Sequence, residues 1–171
     1  MNLLQRIVGR LFGFHDTIRD LERKVEELSW DDAFGMWTRS AFLQLCRVMP
    51  RQKRVVVFID LDDIHGRNLE WGYVEVDRRI RQAFAIPLRR SDIVARWYSG
   101  DEIVILFDAD REAARRKVEQ LAQSARSQGL SFQYAIGDWE VGVEPIEDVV
   151  EELTTEVSAK KAAAKAAPGD K

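Results

Sequence analysis

A chain of 171 residues with 46% apolar and 32% charged residues is about one domain's worth of folded protein, since domains run to about 100–200 residues. That composition excludes disordered and fibrous chains. The net charge of −3 is unevenly spread: residues 1–30 balance five bases against five acids, residues 158–171 hold four lysines and one acid, and residues 31–157 carry −6. So acidic a body lacks the electrostatic footprint of a nucleic-acid binder, although a phosphate ligand remains reachable through a metal ion or backbone amides. One cysteine, Cys46, and two histidines exclude an internal disulfide framework and leave too few ligands for a His/Cys zinc site. Any metal then falls to carboxylates, which favours magnesium. The lone cysteine fits a cytoplasmic location. No run approaches the roughly 20 apolar residues of a membrane span, and Arg6 and Arg10 interrupt the apolar start, so no signal peptide is expected.

Leu4, Ile7, Leu11, Phe14, Ile18, Leu21, Val25 and Leu28 recur at alternating spacings of three and four, an a/d seam that predicts a coiled-coil helix over residues 1–29. Gly9 and Gly13 weaken its first half by about 1 kcal/mol each. The seam reads as a homodimer contact. A helix packed on its own domain is the blander reading, and contact of Leu3, Arg6, Arg10, Phe12 and Phe14 with a membrane surface is a minor third.

Beyond residue 53, strands and helices alternate. Lys53–Asp60 reads as a buried strand ending in carboxylates. Residues 69–87 read as a helix with Val74, Ile80, Phe84 and Ile86 as apolar positions. Asp92–Trp97 and Ile103–Phe107 read as two strands joined by a tight turn around Ser99-Gly100. Residues 109–128 form a charged helix that stops near Gly129. Leu130–Ile136 is a fourth strand, Trp139-Glu140-Val141 a short edge strand, and residues 145–165 a last helix that fades into a frayed tail over 166–171. The order β-α-β-β-α-β is the ferredoxin-like unit. The expectation is an α+β palm domain over 30–165 with a central antiparallel sheet, preceded by the heptad helix. Its first and third strands are central, which brings Asp60 beside Asp101 and Glu102.

Carboxylates at the ends of adjacent buried strands repel one another unless a cation intervenes. Magnesium solves this with one or two carboxylates plus substrate phosphates, an arrangement that polarises an α-phosphate and activates an attacking hydroxyl. Singly, Asp60, Asp62, Asp63, Asp101 and Glu102 each read as solvated turn acids. Their convergence in this topology is what points to a metal site.

Tyr98-Ser99-Gly100-Asp101-Glu102-Ile103 resembles the signature of GGDEF domains, the diguanylate cyclases, in a divergent SGDEI form. Further matches follow in family order. Asp31–Phe42 is similar to the DxLTGLxNRRxF stretch, Phe58-Ile59-Asp60-Leu61-Asp62 to FIDxD, and Asn68–Gly72 with Asp77 to NDxxGHxxGD. Arg89-Arg90-Ser91-Asp92 is similar to RxxD, Ala135-Ile136-Gly137 to SIG, and Ala159-Lys160 to the AK of the last helix.

The resemblance implies condensation of two GTP into cyclic di-GMP with magnesium or manganese, by two subunits each holding one GTP. It implies Asp60, the Leu61 carbonyl and Asp101 as metal ligands, with Glu102 near a second ion and Asp101 and Glu102 as the catalytic pair. It implies Asn68 and Asp77 on the guanine edge, Lys160 and the position of His65 against the phosphates, and Ser99 and Gly100 as small residues where the phosphates approach the backbone. Arg89 and Asp92 correspond to an inhibitory product site; the alternative for them is a surface ion pair.

The departures are Ser99 for a glycine, Ile103 for a phenylalanine, His65 for a lysine, Leu69 for the second acid of the ND pair and Gly72-Tyr73 for GH. An arginine near the end of the last helix is missing, and six residues rather than five separate Asp92 from Ser99. Four readings therefore stay open. They are an active cyclase, a degenerate module that binds GTP or cyclic di-GMP, a dimerising scaffold, and a palm cyclase with another nucleotide.

Overall fold

In the computed structural model, residues 29–98 and 100–166 are described; the heptad stretch, Ser99 and the tail from 167 lie outside them. Six strands form one sheet: β1 (Trp30–Asp31), β2 (Met36–Trp37), β3 (Lys53–Leu61), β4 (Ile93–Arg96), β5 (Glu102–Phe107) and β6 (Phe132–Glu140), in the spatial order β1-β2-β4-β5-β3-β6. The helices among the described residues are α1 (Arg39–Val48), α2 (Ile64–Trp71), α3 (Tyr73–Phe84), α4 (Arg111–Ser127) and α5 (Ile146–Ala166). The sequence reading of β3, β4, β5, α4 and α5 matches these to within a few residues.

β3 is central because both its faces are apolar. Val55, Val57, Ile59 and Leu61 pack under α3 and α4 with Ile80, Val118 and Leu121. Val56 and Phe58 pack on the other face under α1 and α5 with Phe42, Val150, Leu153 and Val157. Burial on both faces gives a strand a continuous apolar run in place of alternation. β3 pairs antiparallel with β5 from Val55↔Phe107 to Asp60↔Glu102, and with β6 from Lys53↔Glu140 to Leu61↔Phe132. That last ladder covers Trp139 and Glu140 as well, so the expected separate edge strand is the end of β6.

Helix boundaries follow local chemistry. Thr38 Oγ1 accepts from the Ala41 amide at 3.4 Å to start α1. Pro50 holds Met49 in the extended region, which ends it. Asp110 caps α4 by accepting from the Ala113 amide at 2.7 Å. Cys46 on α1 is buried, and desolvation pushes its thiol up to about 12.

The single helix expected over 69–87 is two helices. They meet at Gly72, whose φ of 83° and ψ of 153° belong to a region that only glycine adopts without strain. Gly72→Ala is expected to cost about 1–3 kcal/mol, read as a lower denaturation midpoint with an unchanged m-value, even though no atom crowds the new methyl group. Among the described residues no helix is long and apolar enough to cross a membrane.

Candidate active site

Three chain reversals meet at one end of the sheet. β3 ends at Asp60-Leu61, the β4–β5 hairpin delivers Asp101-Glu102, and α2 begins just after Asp62-Asp63. Asp60 and Glu102 are cross-strand partners, so their side chains leave the same face of the sheet, the one covered by α5. The hairpin is pinned to β3 by the Leu61 amide, which donates to the Asp101 carbonyl at 2.8 Å. The Trp97 amide closes the turn on the Glu102 carbonyl at 2.8 Å. The extra residue before the signature leaves the ladder regular from Ile93↔Leu106 to Arg96↔Ile103. Just beyond that ladder, the exposed Tyr98 ring lies 4.4 Å from the Arg39 guanidinium and its hydroxyl accepts from Arg39 at 3.0 Å.

The cation at the Asp60 carboxylate is Lys161. Its ammonium lies 2.7 Å from Asp60 Oδ1 and 3.3 Å from Asp62 Oδ1, and donates to the Leu61 carbonyl at 2.9 Å. Burial raises the Asp60 carboxyl above the usual carboxylate range; Lys161 pulls it back, and the nearby Asp101 and Asp62 charges push it up again. Lys160, the lysine expected at the phosphates, points elsewhere, to the Tyr134 carbonyl at 2.8 Å and Glu156 at 2.7 Å. The signal for Lys161 lay in the sequence: it is one turn beyond Val157, the last member of the buried stripe of α5.

Asp62 is held by the Ser131 hydroxyl at 2.9 Å, and its amide donates to the Ser131 carbonyl at 2.8 Å. Asp63 adopts a left-handed conformation, φ 51°, and its carboxylate accepts from the Gly66 amide at 3.3 Å to cap α2. A Cβ at residue 66 would lie 2.6 Å from both carboxylate oxygens, so this cap requires the glycine. His65 is exposed on the first turn of α2.

Asn68 and Asp77 are both half-buried, on α2 and α3. Asn68 Oδ1 is shielded from solvent without a hydrogen-bond partner. Burial raises the Asp77 carboxyl, Arg96 lowers it and Asp31 raises it. Arg96 itself bonds Asp31 at 2.9 Å. Gly100 is half-buried. Arg89 and Asp92 lie at the opposite end of β5. Asp92 accepts from the Arg89 and Asp108 amides at 2.9 and 3.0 Å, and the Arg89 guanidinium donates to the Asp108 carbonyl at 2.7 Å.

The oxygens around Lys161 are hard donors converging on one cation-sized point, the chemistry magnesium prefers. No three His, Cys, Asp or Glu side chains among the described residues form a metal cage by themselves. An ion at Asp60, the Leu61 carbonyl and Asp101 therefore depends on further oxygens from a bound phosphate.

A sheet that is antiparallel except for the β2–β4 pair at its edge, with helices on both faces and carboxylates gathered at one end, defines a palm-like α+β domain. The sequence profile described as diguanylate cyclase, GGDEF domain, matches residues 38–165, and the chain belongs to that family. Its fold is similar to that of the coiled coil and GGDEF domain of DgcB from Caulobacter crescentus in complex with c-di-GMP (TM-score 0.73, 18% identity, 95% of this chain and 96% of that one). It is also similar to the diguanylate cyclase SiaD from Pseudomonas aeruginosa in complex with its activator SiaC (TM-score 0.69, 21% identity, 94% and 68%). A third similar structure is the S helix-GGDEF-EAL segment of Vibrio cholerae LapD bound to c-di-GMP (TM-score 0.66, 13% identity, 92% and 42%). No curated protein sequence matches.

Proposed function

We propose that the protein is a diguanylate cyclase, condensing two GTP into cyclic di-GMP with release of two pyrophosphates. The observation that carries this reading is the convergence of Asp60, the Leu61 carbonyl and Asp62 on one cation position beside the Asp101–Glu102 hairpin, in a chain of the GGDEF family. Magnesium or manganese, held by Asp60, Asp101 and the Leu61 carbonyl with Glu102 toward a second ion, would supply polarisation of the α-phosphate and a more acidic attacking hydroxyl.

The chain's own groups do the rest. Asn68 Oδ1, an acceptor without a partner, takes a guanine N–H while its amide nitrogen offers a donor to O6, and Asp77 accepts from the remaining N–H groups. Gly100 lets the backbone approach the triphosphate, with Ser99 in the same role. His65 and Lys161 face its charge, while Lys160 stays on the Tyr134 carbonyl and Glu156. Arg89 and Asp92, at the other end of the sheet, form an inhibitory product site that does not overlap the substrate. Each 3′-hydroxyl attacks the α-phosphate of the opposite nucleotide, so two protomers face each other. The heptads of residues 4–28 raise the effective concentration of the second half-site.

Purified protein incubated with GTP and magnesium or manganese is expected to yield a cyclic dinucleotide and pyrophosphate. Asp101→Ala is expected to remove both products, and ATP to give none. The second reading, a nucleotide-binding module without turnover, is favoured by Lys161 already satisfying Asp60. Saturable binding of GTP or cyclic di-GMP with no product establishes it, and absence of both product and binding overturns both readings.

A further inference from the structure

Two of the groups proposed to hold the divalent ion, Asp60 and the Leu61 carbonyl, already hold a cation, and it is covalently part of the chain. Lys161 Nζ has two carboxylates and a carbonyl oxygen within 2.7–3.3 Å, the three-donor, three-acceptor match an ammonium ion seeks. The contact is sheltered: the side chains of Lys161 and Asp60 are only 23% and 22% exposed, so solvent and salt screen the pair less than a surface ion pair. Lys160, the adjacent amine, is anchored on Tyr134 and Glu156 and does not compete for the position.

We propose that Lys161 is a built-in gate on the metal position: in the nucleotide-free protein its ammonium occupies the place of the divalent ion, and the ion is admitted only when a triphosphate draws that ammonium away. The inference rests on the reading of this cleft as a metal–nucleotide site. Its physical basis is charge balance. The charges of Asp62 and Asp101 both act on Asp60, and one ammonium offsets part of that repulsion. Adding a divalent ion beside Lys161 would crowd three positive charges into one cleft. A bound triphosphate brings several negative charges, gives the ammonium a new partner within reach of its four-carbon stem, and supplies the missing metal ligands. Metal and nucleotide therefore bind cooperatively, each raising the affinity of the other by the same factor.

The test is direct Mn2+ binding by the full chain, read from the electron paramagnetic resonance of free Mn2+, with and without a non-hydrolysable GTP analogue. Without nucleotide, wild type is expected to bind Mn2+ weakly and Lys161→Met at least tenfold more tightly. The analogue is expected to tighten binding to wild type at least tenfold and to tighten Lys161→Met by a smaller factor. Asp60→Asn in the Lys161→Met background is expected to abolish the gain, which locates the ion. Lys161→Gln, which keeps a donor for the Leu61 carbonyl, stands in if the methionine variant loses its far-UV circular dichroism. If wild type binds Mn2+ with the analogue but neither Lys161 variant binds it more tightly than wild type without the analogue, the gate is wrong and the metal–nucleotide reading stands. If no form binds Mn2+ even with the analogue, the metal–nucleotide reading fails and takes the gate with it.

Discussion

Asp60→Asn is expected to lower cyclic di-GMP formation about a thousandfold, equivalent to about 4 kcal/mol of transition-state stabilisation, while leaving the protein folded. The carboxylate is the one acid that lies both at the end of the central strand and on the cation position. Asparagine fills the same space but carries no charge to hold an ion. Folding tolerates the change because burial already works against the charged form of Asp60. A carboxyl whose folded-state value lies above its unfolded value favours the native state at low pH, and that contribution fades as pH rises through the raised value. The neutral amide does not titrate, so Asp60→Asn is expected to flatten this part of the stability–pH curve. Coupled measurement of pyrophosphate release and thermal melting checks both halves; loss of turnover together with collapse of the native circular dichroism would contradict the assignment of Asp60 to chemistry alone.

Phe58→Ala is expected to destabilise the domain by about 3–5 kcal/mol, the range for deleting a buried phenylalanine. Phe58 is 1% exposed at the centre of β3, in register with Val104 on one side and Ala135 on the other, under the α1 and α5 layer. Neither neighbouring strand can shift to close the void without breaking its ladder. Urea unfolding of the two proteins checks this, and a loss below 1.5 kcal/mol would mean that α5 relaxes onto the sheet more readily than close packing allows.

Much of the architecture was written in hydrophobic pattern. The uninterrupted run from Val55 to Ile59 announces a strand buried on both faces, and the acids that follow it mark where that strand reaches solvent. Topology alone then placed Asp60 next to the Asp101–Glu102 hairpin. The two-residue strands β1 and β2 are too short to show any period, and they exist because Trp37 can pair with Ala95 at the sheet edge. The one helix read over 69–87 runs across Gly72, because a sequence does not display φ. Gly137 and Asp138 interrupt the apolar pattern of β6, yet the ladder to β3 carries the strand through them. The choice between Lys160 and Lys161 turned on a single residue, which on a helix is a rotation of about 100°. Motif alignment favoured the first lysine, and the phase set by Val157 favoured the second.

Cys46 gives the molecule its own reporter. It is the only thiol in the chain, it sits 4% exposed in the layer that contains Phe58, and its raised value keeps it protonated and unreactive while the native packing holds. Modification by a disulfide reagent added in excess is therefore expected to follow excursions that uncover this thiol beside α1. The labelling rate becomes a clock for those excursions, readable at neutral pH without denaturant or an introduced probe.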